Sequence, residues 1–367
     1  MAGGLFELRR DDITGWWVAV VVDREFDRSR FALPAGRVPV PDAECQNCLG
    51  APSPDQVWVR VLKPQAFTIA PDDRAGRSGS GGAGGSGDGG AARESGQGER
   101  EPSLGLLGDV GSWQTIVAPR HHHGALAGES QRVVADMLAR AREQIGLSRD
   151  AGGTDYLQVV QNWGAQAGAR TNHLCMDFYD LPQIPHRIGE ELGGAARYLI
   201  REGACPYCRL VRDEIAGRER LVFEDAASVC FAPYASRSPF ELWIVPRHHE
   251  ADFGRTTDAQ LTSAAETLQK VLRLLDALGG PPYNLVLHTA PLHQRVDETY
   301  HWHWEIHPRL REIAGLELGT GLPVNPVSPE EAVDELLAQA RGAGGSRTES
   351  GIPVGGRSWD TFPRRSS

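Results

Sequence analysis

Residues 115–123 read TIVAPRHHH and residues 242–250 read LWIVPRHHE. Set on their shared Ile-Val, both end a β-rich run in Pro-Arg-His, and His121 and His249 each fall four residues after the Val. A second histidine follows 52 residues later in each case, His173 in NHLCMD and His301 in YHWHWE. A Cys-x-x-Cys pair precedes each, CQNC at 45–48 and CPYC at 205–208. The distance from the pair's second Cys to the first histidine is 73 residues in one half and 41 in the other. A Gly-rich run accounts for the difference, so the chain reads as one unit written twice.

The elements around these landmarks repeat too. Strands are expected at WWVAVVV, QVWVRVL, WQTIVAP, YLQVVQNW, RLVFED, SVCFAPY, FELWIVP, YNLVLHT and HWHWEIHP. Helices are expected over Gln131–Ile145 and Asp258–Leu278, where apolar residues recur at helical spacing: Val134, Met137, Leu138 and Ala141, then Leu261, Ala265, Leu268, Val271 and Leu275. The fold class is α+β, with a long helix and an antiparallel sheet in each unit. The boundaries expected are a first repeat over 14–190, a second over 191–335 and a disordered tail over 341–367. A flexible Gly-rich insertion spans 74–105 in the first repeat; it has almost no large apolar side chains with which to offset ordering entropy.

Composition sets outer limits. The chain of 367 residues carries 38 Lys plus Arg against 48 Asp plus Glu, a net charge of −10. That balance argues against broad affinity for nucleic acid or anionic membrane, while leaving room for a nucleotide pocket. With no apolar run long enough to span a bilayer and no signal-peptide core at MAGGLFELRRDD, a cytoplasmic location is expected. In a reducing compartment, paired cysteines read as metal ligands or a redox couple. Two Cys₂His₂ sets follow: Cys45, Cys48, His121 and His173, and Cys205, Cys208, His249 and His301. Four thiolate and imidazole donors suit structural zinc, giving two zinc sites per chain. His248 is the alternative to His249, His122 and His123 read as solvated neighbours, and Cys230 reads as core.

The pattern of CxxC, Pro-x-His after a strand and NxGxxAGxxxxH resembles the galactose-1-phosphate uridylyltransferase family of the histidine-triad superfamily, which includes nucleotide-sugar phosphorylases. The matching stretches are DAECQNC, IVAPRH and NWGAQAGARTNH in the first half. In the second they are CPYC, RLVFED, PYASRSPFELWIVPRHH, YNLVLHTAP, HWHWEIHPRL and GLELGTGLPVNP. The resemblance implies tandem histidine-triad-like modules and a homodimer. It also implies transfer of a nucleoside monophosphate between a nucleotide sugar and a sugar phosphate, or phosphate, through a nucleotidyl-histidine. The alternatives are a nucleotide-sugar or dinucleoside-polyphosphate phosphorylase and a non-catalytic, zinc-stabilised nucleotide-binding protein.

Residues carried over from the resemblance are Arg60, and Asn162, Gly164 and Gly168 in the turn that would approach the phosphates. Asn284 is read as the second repeat's equivalent of Asn162, and Glu317 and Thr320 would lie near sugar or phosphate. Arg237 and Glu241 either contact ligand or pair locally. The family's first repeat carries His-Pro-His-x-Gln, whose second histidine is the nucleophile; this chain has Cys175 there and Asp177 in place of the Gln. The second repeat reads His301-Trp-His303-Trp-Glu305, which on a strand would set His303 and Glu305 beside a metal-held His301. The nucleophile is therefore His303, with Glu305 as its partner, or Cys175, or neither, in which case His303 is a packed histidine.

Overall fold

A computed structural model describes residues 6–21, 45–53, 55–62, 111–122, 125–276 and 278–345, with the backbone alone at 120–122 and 342–345. The insertion at 74–105 and positions 346–367 of the expected tail lie outside the described residues.

Among the described residues nine strands form one antiparallel sheet. The first four are β3 (Trp58–Val61), β4 (Ser112–His122), β5 (Tyr156–Trp163) and β6 (His173–Leu181). The other five are β7 (Leu221–Glu224), β8 (Ser228–Phe231), β9 (Leu242–Pro246), β10 (Tyr283–His288) and β11 (His303–Pro308). Their order is β3-β4-β6-β5-β10-β11-β9-β8-β7, so the two repeats join edge to edge where β5 meets β10. The shift of 128 residues that carries His121 to His249 and His173 to His301 also carries β6 onto β11 and β5 onto β10. It likewise carries α2 (Gln131–Ala151) onto α5 (Asp258–Asp276). Under that shift Val159 maps to Leu287, and these two face each other across the β5–β10 seam. An approximate two-fold axis passes there. Asn162 then maps to Ala290, so Asn284 is its cross-strand partner, as the register shows, and not its repeat equivalent.

The long helices pack against each other on one side of the sheet. Their inward residues, Val134, Met137, Leu138, Leu261, Leu268 and Val271, meet Ile116, Leu157, Val159, Met176, Phe178, Leu285, Trp304 and Ile306 in one core. The period of two along β11 puts Trp304 and Ile306 into that core and turns His303, Glu305 and His307 to the opposite face.

That opposite face is covered over the second repeat by elements the sequence reading did not separate. The helices α3 (His186–Glu202) and α4 (Pro206–Gly217) lie here with Tyr207, Phe231, Trp243 and Tyr300 in a second cluster. The strands β1 (Phe6–Arg10) and β2 (Trp17–Val21) pair as a hairpin, and β2 takes the short strand β12 (Val324–Asn325) in parallel. The amino-terminal hairpin therefore serves the second repeat, and the boundary expected at 190/191 falls inside α3. The carboxy-terminal helix α7 (Pro329–Gly345) extends five residues into the segment read as the tail. No helix among the described residues is long and apolar enough to cross a membrane.

Candidate functional site

The two Cys-x-x-Cys pairs open short helices, Cys45 before α1 (Gln46–Leu49) and Cys205 before α4. One helical turn brings each pair together, and Cys48 N–H donates to the Cys45 carbonyl at 3.0 Å. In the second repeat the donor atoms of Cys205, Cys208, His249 and His301 converge, all within 4.8 Å of one another. Cys208 Sγ stands 3.3 Å from His249 Nδ1 and 3.8 Å from His301 Nδ1. In the first repeat Cys45, Cys48 and His173 converge in the same way, with His173 Nδ1 at 3.3 Å from Cys48 Sγ and 3.9 Å from Cys45 Sγ. Metal–S bonds of about 2.3 Å and metal–N bonds of about 2.0–2.1 Å at a tetrahedral angle give an S to N edge of about 3.6 Å. The observed separations bracket that edge, so both donor sets fit such an ion.

The outer ring atoms agree with this assignment. His173 Nε2 lies 2.9 Å from the Ala118 carbonyl and His249 Nε2 lies 2.5 Å from the Asp297 carbonyl. Each carbonyl fixes the proton on Nε2 and leaves Nδ1 to face the thiols. Cys208 is held down to about 3, first by the hydrogen bond from Cys205 and then by those from His301 and His249 against burial, so it is a thiolate. His248 bonds Gln260 at 2.7 Å outside the cluster, which settles His249 as the converging residue. The side chain of His121 lies outside the described residues; its backbone is the penultimate position of β4.

On the sheet face away from α2 and α5, register brings the remaining candidates together. Arg60 faces Thr115, which faces Asp177; Asp177 faces Val160, which faces Val286, which faces Glu305. Cys175 and His303 are equivalent under the 128-residue shift, as are Asp177 and Glu305. The two positions differ in environment. Cys175 is half-buried, and burial together with the Asp177 carboxylate pushes its thiol up to about 12. Asp177 is itself raised by burial, with Arg170 opposing at 2.7 Å.

His303 is fully buried, stacked on Trp243 at 4.8 Å and near Tyr207 at 5.2 Å and His288 at 4.9 Å. Its Nδ1 lies 3.0 Å from the His301 carbonyl. Its Nε2 has no hydrogen-bond partner, and Glu305 Oε1 stands 3.8 Å away. The carbonyl, not the carboxylate, therefore fixes the tautomer. Glu305 is fully buried and engaged by Arg187 at 2.6 Å and 2.7 Å, Arg237 at 2.9 Å and His307 at 2.9 Å. Burial opposes ionisation there, but Arg187 and His288 outweigh it and hold Glu305 well below the usual carboxylate range. Glu191 ties the network to α3, with His288 Nδ1 at 2.9 Å and the Tyr300 hydroxyl donating at 2.8 Å. Arg187, Glu191 and His288 were not picked out from sequence; a pair of charged residues four apart on an amphipathic helix looks like a solvated face.

The other candidates make contacts within the protein. Arg60 donates to Asn47 in the first Cys-x-x-Cys turn at 3.2 Å. Asn284 donates to Asn162 at 2.7 Å and to the Ala167 carbonyl at 2.8 Å, locking the turn after β5. Gly164 and Gly168 have φ of +83° and +80°, which explains glycine at both. Arg237 pairs with Glu241 at 3.0 Å, and Cys230 is core. Glu317 caps α6 (Gly315–Thr320) and pairs with Arg311, while Thr320 bonds the Leu316 carbonyl at 2.6 Å.

No family model matches the chain. It is 27% identical over 343 residues to an ADP-glucose phosphorylase of Arabidopsis thaliana, covering 89% of this chain and 90% of that one. It is also 27% identical over 256 residues to a galactose-1-phosphate uridylyltransferase of Thermotoga maritima, covering 66% and 77%. Among solved structures, the Arabidopsis ADP-glucose phosphorylase with bound ADP-glucose superposes with a TM-score of 0.65 at 24% identity over 90% of this chain and 98% of that one. A uridylyltransferase structure superposes with a TM-score of 0.67 at 24% identity, covering 92% and 99%.

Proposed function

We propose that this chain, a relative of the galactose-1-phosphate uridylyltransferases and ADP-glucose phosphorylase, is a zinc-stabilised enzyme that transfers a nucleoside monophosphate from a nucleotide sugar to a phosphate-bearing acceptor. The carrying observation is the His301-Trp-His303-Trp-Glu305 strand. Its first histidine joins the Cys205, Cys208 and His249 cluster, and its second presents Nε2 as a lone pair while a carbonyl holds the proton on Nδ1. That is the protonation state a nucleophilic imidazole requires. Attack of Nε2 on the α-phosphorus would form the P–N bond and release the sugar phosphate; an acceptor phosphate oxygen would then displace the imidazole. Cys175 is the weaker candidate, since a thiol pushed up to about 12 is almost wholly protonated near neutral pH.

Orthophosphate and sugar phosphate fit the acceptor role equally well. The identity of the Arabidopsis relative favours the phosphorylase reading, and that of the Thermotoga relative the uridylyltransferase one. Zinc at both clusters is structural in this proposal: four protein donors converge in the second repeat, and His121 would add the fourth to Cys45, Cys48 and His173 in the first. A homodimer belongs to the same reading, with the exposed Ile313, Leu316 and Leu318 around α6 as apolar contact surface.

The test is incubation with ADP-glucose or UDP-glucose labelled at the α-phosphorus. Acid-labile, alkali-stable label on the peptide containing His303 is expected. Label that survives His303→Ala and disappears with Cys175→Ser would move the chemistry to the first repeat. No label in any protein would leave a nucleotide binder.

A further inference from the structure

The four donors of the second repeat are held in place by different means. Cys205 and Cys208 open α4, and His301, 1% exposed and two residues before β11, has the Tyr207 ring at 6.4 Å. Secondary structure and packing fix these three. His249 is the exposed member, three residues past the end of β9. Its ring meets that of His301 edge-on at 5.3 Å, and its outer nitrogen, Nε2, lies 2.5 Å from the Asp297 carbonyl. An outer partner of this kind orients a ligating imidazole, and an exposed ring that loses it is free to turn away from the thiols.

Asp297 lies on a surface loop in which residues 293–295, 297 and 298 are exposed. One side of the loop is anchored: the Thr299 and Tyr300 amides donate to the Val296 carbonyl at 3.1 Å and 2.9 Å, and Val296 and Tyr300 pack with Tyr207, Phe231 and Trp243. On the other side the Asp297 carboxylate meets Arg255 Nη1 at 2.5 Å. Arg255 ends a fixed turn. Phe253 is fully buried there, and Asp252, 3% exposed, accepts from the Gly254 amide at 2.7 Å and from Arg149 of α2 at 2.6 Å. Asp252 and Glu250 stand 3.7 Å and 3.9 Å from the Arg255 guanidinium, so Asp297 is the nearest of its three carboxylates. Arg255 thus connects a turn tied to α2 with the loop whose carbonyl orients His249.

We propose that Arg255 and Asp297 are positioning residues for His249, and that their ion pair sets how fast the second-repeat cluster releases its metal. This rests on the zinc reading given above and not on nucleotidyl transfer. Charge alone predicts a different pattern from positioning. A guanidinium acting only by charge repels a cation, so its removal would slow release while removal of the Asp297 carboxylate would speed it. Acting through the carbonyl, either removal frees the loop and speeds release, and removing both adds nothing further.

The test follows the thiols. Zinc-loaded protein is mixed with excess EDTA and pulsed with N-ethylmaleimide, and peptide mass reports Cys205 with Cys208 separately from Cys45 with Cys48. Arg255→Ala and Asp297→Ala should each speed labelling of Cys205 and Cys208 by about threefold to fivefold, the size that an exposed ion pair permits. The double variant should match the single ones. Labelling of Cys45 and Cys48 and the urea midpoint should stay native. Opposite effects of the two substitutions overturn the proposal in favour of plain charge. An unchanged rate in both zinc-loaded variants overturns it, as does equal acceleration at Cys45 and Cys48, which would mean general loosening. Fast labelling of Cys205 and Cys208 in the native protein before EDTA is added removes the zinc reading and this proposal together, and leaves nucleotidyl transfer to be judged by the label on His303.

Discussion

At residue 175 and residue 303 the same strand position, on the same face of the sheet, carries two different groups, and the surroundings decide which can act. The Cys175 thiol is pushed up to about 12, so only a small thiolate fraction exists near neutrality. The fraction grows with pH until the folded value is reached. Alkylation of Cys175 by iodoacetamide should therefore rise about tenfold per pH unit from about pH 7 to pH 10, with no plateau in that range. A plateau near pH 8 to 9 would mean that the thiol is unperturbed and that Cys175 deserves the nucleophile's role. At position 305, Glu305→Gln keeps the shape but removes the charge that Arg187 and Arg237 share. Breaking a buried charge cluster by removing one partner costs about 3–5 kcal/mol, so chemical unfolding should show a loss of that size. A neutral result would mean that the cluster is solvated and the site is already open.

Among elements, the long helices and the hairpin represent opposite extremes. The helix α5 buries Leu261, Leu268, Val271 and Leu275 in the main core. Leu268→Ala should cost about 2–5 kcal/mol in urea unfolding, the usual range for a buried leucine. One of the hairpin's links to α7 is the pairing of Arg9 with Glu330, at 2.8 Å and 2.9 Å, which should respond to acid. Burial opposes ionisation of Glu330, but its own helix terminus and Arg9 outweigh that and lower its value from 4.5. A depressed carboxylate contributes stability above its unfolded value, and the contribution disappears as pH falls through the folded one. Amide exchange over residues 11–18 should therefore accelerate once pH drops below about 4.5, after correction for intrinsic rates, while exchange over 131–151 does not. Equal acceleration in both segments would indicate global unfolding.

For the whole molecule, the two Cys and His clusters bring together segments far apart in sequence, so metal binding there should be coupled to folding. Elemental analysis should give about two zinc per chain, the number of Cys₂His₂ sets, and Cys205→Ser should lower zinc content and thermal stability together. Lost activity with zinc retained would make Cys205 catalytic instead of structural. Deleting Gly76–Gly98 should leave fold and zinc unchanged, because loop length affects closure entropy only weakly.

The repeat, the α+β class, the long helices and the convergence of Cys205, Cys208, His249 and His301 were legible in the linear chain. Each of these features rests on spacing: a period of 3.6 or 2, a Cys-x-x-Cys turn, or a shift of 128 residues preserved from strand to helix to strand. Spacing survives in sequence because it is set by local geometry. The partners of Glu305 were not legible, since Arg187 and Arg237 lie 118 and 68 residues away on elements with no counterpart in the repeat pattern. The cross-strand meeting of Asn162 and Asn284 likewise depends on how the two repeats join within the one sheet. Above all, only the tertiary structure decided that the imidazole at 303 is buried among Trp243, Tyr207 and His288, side chains from three other elements. Burial and pairing across such distances depend on which surfaces dock, and docking leaves no periodic signature in a single sequence.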